Sequence, residues 1–324
     1  MIRPGAFLGA LLAAALVLAI PAARAQTYPS RQITLIIPFT PGGSNDLVGR
    51  AIGKKLSEVW GQPVVVENRG GGGAVIGAAA VAKAPPDGYT LLLVSPTFTI
   101  NAAVRKTMPF DAAKDFTPVA FIGRAPLLVT TSTRLQVASA GELFALARSK
   151  PGQITYASAG LGSINQISTE LIALVAGVKF SHVPYKGGAP ALNDLVGGHV
   201  DMFVSSIPQA LQLVRSGQIR TLAVTSSKRN AILPDVPTLA ESGTPGADAE
   251  TWWGIAGPAG MPVEVVNALN AEINKMLVSP ELATFFANEG AEAEAMTPQQ
   301  FGDMMRRETA RWTKVAHEAN VSID

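Results

Sequence analysis

The sequence predicts an α/β protein built from two units, each with a parallel sheet covered by helices. Short apolar runs alternate with helical stretches in the order β-α-β-α-β, and the pattern then starts again. The apolar runs are continuous, which is typical of strands buried on both faces. In both units, a glycine-containing loop with a serine follows a strand and opens a helix. This order of elements indicates open sheets with helices on both faces.

The elements of the first unit follow one another closely. The pattern predicts strands within QITLIIPF, QPVVVEN and YTLLLVS, and helices over 44–60 and within GAVIGAAAVAKA. The second unit, roughly 125–250, is predicted to contain strands within APLLVTTS, ITYASAG, KFSHVPY, VDMFVSS and IRTLAVTS, with helices between them. A loop rich in turn formers precedes TWWGIAGPAG, after which three helices are predicted.

The first 25 residues are typical of a secretory signal peptide. Arg3 gives a basic start, about 15 apolar residues follow, and small residues flank Arg24 before a predicted cleavage after Ala25. Lys and Arg number 26 and Asp and Glu 24, so removing Arg3 and Arg24 leaves 24 of each and a net charge of zero. We therefore expect an exported chain, located in the periplasm, that does not bind nucleic acid.

Both glycine-containing loops suit an anion. A helix N-terminus leaves backbone N–H groups unpaired and carries about half a positive charge. Ser44 and Ser163 add hydroxyl donors at the starts of two such helices. Neither loop contains Lys or Arg, whereas a phosphate usually has a cation nearby. The pair of loops therefore indicates a carboxylate ligand held by neutral dipoles.

The sequence offers little for catalysis. The chain has no cysteine, and its three histidines, His182, His199 and His317, are not in a metal-binding spacing. There is no G-x-S-x-G motif, although a spatial Ser-His-Asp triad remains open because triads do not follow chain order. The GGGG run at 70–73 lacks both nucleotide-loop patterns and indicates a turn with close packing. We predict no catalytic residue, no metal and no cofactor.

Six motifs in order resemble the receptors of tripartite tricarboxylate transporters, also called the Bug family. The resemblance spans essentially all of 27–324 and is carried by YPSRQITLIIPFTPGGSNDLVGRAI, ENRGGGGAVIGAAAVAKAPPDGYTLLL, ITYASAGLGSINQ, HVPYKGGAPALNDLVGGHVDM, LAVTSSKRNAILPDVPTLAESG and WWGIAGPAGMPVEVVNALN. It implies a periplasmic-binding-protein type II-like fold with two doubly wound domains, two crossover segments and a cleft between them. The implied domains are 27–124 plus 252–324, and 125–251.

The resemblance also implies where the ligand binds. Family receptors hold a small organic acid through backbone amides and hydroxyls of two facing loops. In this sequence the matching residues of the two loops are Phe39, Thr40, Gly42, Gly43 and Ser44, and Ser158, Ala159, Gly160, Gly162, Ser163 and Gln166. Tyr185 follows a strand and is a further candidate for the pocket, with a role in the core as the alternative. Many relatives have an acidic residue soon after the segment VDMF, where this chain has Ser205. A serine carries no charge to pair with a ligand ammonium group, which disfavours an amino-acid ligand.

Gln166 stands where relatives often have His, and its neutral amide retains a polar contact while losing pH sensitivity.

The resemblance implies a monomeric receptor that closes on its ligand by a hinge motion and delivers it to a membrane permease. Two alternatives remain open. The same fold could report ligand occupancy to a membrane sensor kinase, or the chain could be an exported enzyme that acts on a carboxylate ester or a nucleotide.

Overall fold

The structure of the protein is a computed structural model that describes residues 28–318 and 322–323. The predicted signal peptide over 1–25 lies outside these residues. None of the helices within the described ranges is long and apolar enough to cross a membrane.

The structure contains ten helices and ten strands within the described residues. The strands are β1 Ile33–Ile37, β2 Val64–Asn68, β3 Thr90–Val94, β4 Phe116–Ser132, β5 Thr155–Ser158, β6 Ser181–Pro184, β7 Met202–Ser206, β8 Ile219–Val224, β9 Glu250–Pro258 and β10 Glu292–Ala293. The helices are α1 Ser44–Trp60, α2 Val75–Ala82, α3 Pro96–Val104, α4 Ala140–Ser149, α5 Ile164–Ala176, α6 Gly188–Gly197, α7 Ile207–Arg215, α8 Val263–Leu277, α9 Pro280–Asn288 and α10 Pro298–Glu318.

The strands form one continuous sheet in the order β2-β1-β3-β9-β4-β7-β5-β6, with β8 and β10 also paired to β4. The parallel prediction is confirmed for β2-β1-β3 and for β7-β5-β6. The centre differs, because β9 and β4 run antiparallel to their neighbours. Two parallel groups are therefore joined through antiparallel strands that carry the chain between them.

Strand β4 joins the two ends of the sheet. Its residues 116–126 pair with β9, whereas residues 127–131 pair with β7. We call β2, β1, β3, β9 and 116–126 of β4 the first half-sheet. The rest of β4, with β7, β5, β6 and β8, is the second half-sheet. Because the partner changes between Pro126 and Leu127, one strand belongs to both.

Helices cover both faces of each half-sheet, which confirms the predicted doubly wound class. In the first half-sheet, Leu35 packs in a core with α1 and α8, while its neighbour Ile36 packs in another with α2 and α10. In the second, Leu127 faces α4 and α5, while Leu128 faces α6 and α7. Alternation along a strand sends successive side chains to opposite faces, so continuous apolar runs fill a core on each side.

Four elements differ from the sequence-based expectation. Helix α3, strand β9, the short strand β10 and the first part of β4, residues 116–124, are not among the predicted elements. The C-terminal helices α8 and α10 pack against the first half-sheet. The end of α10 also packs against the second half-sheet, because Trp312 and Ala316 lie in the core cluster that contains Leu127, Tyr156 and Met202. These helices are therefore part of the main body and not a separate region.

Candidate functional site

A small cavity lies where the two half-sheets meet, and we call it the cleft cavity. Its volume is about 30 Å³, room for one or two water molecules. The lining comes from both half-sheets and consists of Phe39, Gly43, Ser44, Asn45, Ser95, Thr97, Leu127, Ala159, Ile164, Asn165, Gly188, Ser206, Gln209 and Thr251. A ligand of several carbon atoms therefore fits only if the walls separate and close again around it.

Five helices begin at the cleft cavity. The starts of α1 and α3 contribute Gly43, Ser44, Asn45, Ser95 and Thr97, and the starts of α5, α6 and α7 contribute Ile164, Asn165, Gly188 and Ser206. The first amides of a helix have no intrahelical partner, and each helix N-terminus carries about half a positive charge. All fourteen lining residues are uncharged. The cavity therefore attracts an anion through dipoles from both walls, with no cation in its lining.

Two lining side chains carry polar atoms without a partner. The Ser206 hydroxyl and the Asn45 side-chain oxygen are buried, and neither has a hydrogen-bond partner among the described residues. Thr40 Oγ1, in the same loop as Asn45, is also buried without a hydrogen-bond partner among the described residues. Burying a polar atom without a partner costs about 1–3 kcal/mol. These atoms therefore favour a polar ligand that supplies the missing partners.

Asp46 fixes the loop before α1. It is 4% exposed and accepts hydrogen bonds from Gly42 N at 2.9 Å, Arg50 Nε at 3.0 Å and Asn68 Nδ2 at 2.9 Å. Burial works against ionisation of the carboxyl, but the hydrogen bonds from Arg50, Gly42 and Asn68 and the charge of Arg50 together hold the pKa of Asp46 below its ordinary value. An ionised Asp46 thus orders the loop whose backbone faces the cavity.

The two half-sheets touch beside the cavity. Thr97 Oγ1 accepts a hydrogen bond from Ile164 N at 3.2 Å. Gly73 has φ of +63° and lies so close to Leu161 that a Cβ at Gly73 would be 2.0 Å from the Leu161 carbonyl oxygen. Asn101 Nδ2 donates to Gly73 O at 2.7 Å and holds this glycine in place. The GGGG run is thus packed closely against the opposite loop, at a position that only glycine fits.

The family model described as tripartite tricarboxylate transporter family receptor matches residues 48–321. The chain belongs to this receptor family. Among curated relatives, Protein BugT of Bordetella pertussis (strain Tohama I) is 38% identical over 301 residues, with 92% of each chain covered. The family is described as one of receptors, and a similar solved structure, with 32% identity, a TM-score of 0.87 and coverage of 91% of this chain and 99% of its own, is that of the periplasmic binding protein BugD.

Solved structures of receptors with bound acids are similar over nearly the whole chain. One, from R. palustris, is described as Rpa4515 with adipate, and it has 40% identity, a TM-score of 0.89 and coverage of 91% of this chain and 99% of its own. Another is MatC from Rhodopseudomonas palustris with bound malate, with 32% identity, a TM-score of 0.85 and coverage of 89% and 99%. Together they show that this fold holds dicarboxylates in other members of the family.

In this receptor, the residues predicted in the first loop lie at or beside the cavity. Phe39, Gly43 and Ser44 line it. Thr40 packs against Gly187 of the opposite wall, since a Cβ at Gly187 would be 2.2 Å from Thr40 Oγ1. Gly42 donates to Asp46 and has φ of +85°, so its backbone makes the turn. The loop therefore combines lining residues with residues that shape it.

In the second loop, Ala159 alone of the predicted residues lines the cavity. Ser158 Oγ is 2.6 Å from His182 Nε2, and Gly160 N donates to the same hydroxyl. Gly162 N donates to Gln166 Oε1 at 2.8 Å, while Ser163 Oγ caps α5 by accepting from Gln166 N. These side chains hold the loop from within, and the backbone at the start of α5 faces the cavity.

The two remaining candidates make contacts elsewhere. Tyr185 OH donates to Asp194 at 2.5 Å, and burial together with this carboxylate raises the pKa of Tyr185 to about 12. Ser205 Oγ lies 3.4 Å from Thr130 Oγ1, within the sheet. The next residue along the strand, Ser206, is the one that lines the cavity.

Sequence reasoning missed ten lining residues. They are Asn45, Ser95, Thr97, Leu127, Ile164, Asn165, Gly188, Ser206, Gln209 and Thr251. Two of them carry a usable signal, since Ser95 and Ser206 are N-caps with proline in the following first turn. Serine followed by proline at the start of a helix is a recognised helix-start pattern.

His182 makes the stability of the protein depend on pH. Its ring stacks on Tyr156 at 4.7 Å, and burial lowers the pKa of His182 to about 4. An unfolded histidine binds its proton at a pH of about 6.5, so the unfolded chain gains a proton before the folded one. We expect the free energy of unfolding to fall as the pH drops from about 6.5 to about 4, by up to about 1.4 kcal/mol per pH unit from this group.

The measurement is urea unfolding of wild type and His182→Phe at several pH values. Phenylalanine keeps a ring against Tyr156 but cannot bind a proton, so the dependence on pH should be weaker in the variant. Equal slopes between pH 6.5 and 4 would contradict the assignment.

Ser158 is buried, and among the described residues no carboxylate is hydrogen-bonded to His182. The geometry of this pair is that of a structural contact.

Proposed function

We propose that the protein is an exported receptor that binds a small organic carboxylate in the cleft cavity and delivers it to a membrane permease of the tripartite tricarboxylate type. The observation that carries the proposal is the convergence of five helix N-termini on a cavity lined only by uncharged residues. The unpaired side-chain oxygens of Asn45 and Ser206 support it, as do the adipate and malate of the similar structures.

The proposal includes a dianionic ligand. Two helix N-termini come from the wall of the first half-sheet and three from that of the second. In the macrodipole picture each supplies about +0.5 of a charge. A dicarboxylate would place one charge against each wall, so that only a doubly anionic ligand would be attracted by both and draw them together.

The proposal also assigns the organisation of the chain. We take 27–124 plus 252–324 as domain I and 125–251 as domain II, which would rotate about the segments that join them. Residues 1–25 would be removed as a signal peptide after Ala25, and the mature protein would act as a monomer in the periplasm. No enzymatic step is assigned, because the relatives are receptors.

Binding is tested by calorimetry and thermal melting of the mature protein with adipate, malate and neutral or monoanionic analogues. At 100 times its Kd, a ligand should add about 2.7 kcal/mol to the free energy of unfolding. We expect stabilisation by dicarboxylates and little by the corresponding diamides. A panel in which no carboxylate shifts the melting temperature would contradict the proposal. Copurification from membranes with a permease, and not with a sensor kinase, tests the delivery step.

Ser206 and Ser205 provide a matched pair of variants. Ser206→Ala removes an unpaired hydroxyl from the cavity lining, whereas Ser205→Ala removes a hydroxyl that faces Thr130. A hydrogen bond to a charged group contributes about 1.5–3 kcal/mol, so we expect Ser206→Ala to weaken adipate binding about 10- to 100-fold. Ser205→Ala should bind adipate like wild type, and the reverse result would place the hydroxyl of Ser205 in the site.

A further inference from the structure

A second and much larger cavity is an open groove between α3, the segment 108–118 and α10. Its volume is about 710 Å³, whereas small-molecule pockets typically measure about 300–1,000 Å³. The groove and the cleft cavity have no lining residue in common. It is therefore a separate feature, which the proposed function does not use.

The groove has an apolar wall. Phe98, Phe110 and Phe116 form an aromatic cluster, with the ring of Phe116 4.9 Å from that of Phe98 and 5.2 Å from that of Phe110. These rings and the Met305 side chain are at most 8% exposed, so their positions are fixed by packing. The half-buried Met108 extends the same surface. Such a wall suits a phenyl ring or a branched aliphatic chain.

Arg105 gives the groove a half-buried positive charge. Its guanidinium donates to Asn101 Oδ1 at 2.5 Å, Gly72 O at 2.8 Å and Leu161 O at 3.3 Å, all of them neutral acceptors. No carboxylate within the described ranges lies within ion-pair distance of it, and burial lowers the pKa of Arg105. A half-buried charge with no counter-ion among the described residues favours binding of an anion.

Three further charged residues line the groove: the cations Lys106 and Arg306 and the acid Asp111. Arg306 is paired with Asp303, and Asp111 with Lys114 at 3.0 Å. The three hydrogen bonds of Arg105 hold its guanidinium in place before any ligand arrives, which reduces the entropy lost on binding.

We propose that this groove is a second ligand site, which takes a monocarboxylate with an aromatic or branched aliphatic tail. The carboxylate pairs with Arg105, and the tail lies against Phe98, Phe110 and Met305. The two sites have separate linings, so the proposal does not require a particular ligand in the cleft cavity, although Arg105 also donates to Leu161 O on the opposite wall.

The probe is 4-phenylbutyrate, titrated into the mature protein by calorimetry and ligand-observed NMR. We expect saturable binding with one molecule per chain, unchanged by saturating adipate, and no binding of 4-phenylbutylamine, whose charge is opposite. Arg105→Gln removes the charge, and Ala102→Phe fills the groove at a half-buried lining position on α3. Each should weaken 4-phenylbutyrate binding at least about tenfold. Ser206→Ala, which alters the cleft cavity, should leave it unchanged.

Three results would overturn the second site. One is the absence of binding to wild type at about 10 mM probe. Another is wild-type affinity in the groove-filling Ala102→Phe variant, whose fold is checked by its melting temperature. The third is displacement by adipate together with loss in Ser206→Ala, which would place the probe in the cleft cavity and leave the carboxylate receptor proposal standing. If adipate itself fails to bind, Arg105→Gln and Ala102→Phe still decide whether the groove holds the probe.

Discussion

Replacing Gly73 by alanine is expected to weaken adipate binding about 100-fold. The new Cβ would lie 2.0 Å from the carbonyl oxygen of Leu161 on the opposite wall. Backbone atoms cannot yield as a flexible side chain can, so the walls would have to stay apart. Overpacking of this kind costs up to about 3 kcal/mol, which corresponds to about 100-fold in affinity. Calorimetric titration of the variant with adipate measures the effect.

Gly61 provides the control for backbone strain. It has the same φ of +63°, but nothing lies within 4 Å of a Cβ built on it. Gly61→Ala therefore carries the strain of a left-handed alanine, about 1 kcal/mol in the free energy of unfolding, without obstructing the other wall. Its affinity for adipate should equal that of wild type. If Gly73→Ala also bound adipate normally, ligand binding would not require these loops to meet.

Replacing Asp46 by alanine is expected to cost about 3 kcal/mol in the free energy of unfolding at pH 7. The change leaves the Gly42 amide, Asn68 and Arg50 without their common acceptor. Removing one partner of a buried charged pair typically costs about 3–5 kcal/mol, and we take the lower figure because Arg50 is half exposed. Urea unfolding of both proteins gives the difference.

The pH dependence of that difference provides a second check. The pKa of Asp46 is lowered in the folded state, so its contribution is complete above its unfolded pKa of about 3.9 and is lost as the pH falls through the folded pKa. The gap between wild type and variant should be constant from pH 7 to about 5 and should narrow below about 4. Glu67→Ala, which breaks the exposed pair with Arg69, should cost less than about 1 kcal/mol. Equal losses in the two variants would mean that Asp46 is no more than a surface charge.

Much of the fold could be predicted because its signals are local. The helix over 44–60 has the predicted bounds, since its apolar positions recur at helical spacing and Gly61 ends it in the left-handed conformation. The strands of the parallel groups have continuous apolar runs bounded by turn residues. In such segments the burial pattern and the local conformational preference agree, so the sequence alone is sufficient to predict the element.

Helix α3 could not be predicted in the same way. Seven of its nine residues are buried, including Thr97, Thr99 and Asn101, so no polar face marks a helical period. In β4, Pro118, Gly123 and Pro126 interrupt the apolar pattern that a central strand would show. The register of β4 against β9 is irregular near the first two, which accommodates them. Tertiary packing, and not local preference, determines these elements.

The site was predicted only in part for a related reason. Loops at helix starts can be recognised from glycine and serine, and four predicted residues do line the cavity: Phe39, Gly43, Ser44 and Ala159. Which of two adjacent serines faces the cavity depends on the phase of strand β7, and a shift of one residue reverses it. The sequence provides no means to choose between Ser205 and Ser206, because both are buried and the strand is covered on both faces.

Strand β4 has a mechanical consequence. Its backbone passes from β9 to β7 between Pro126 and Leu127, with no unpaired stretch at the change. A loop turns almost freely, whereas a strand that is hydrogen-bonded along its length resists twisting and returns when released. If the walls move as proposed, β4 bends elastically, and its stiffness limits how far the receptor opens. The rate of ligand release would then be set by the elasticity of strand β4.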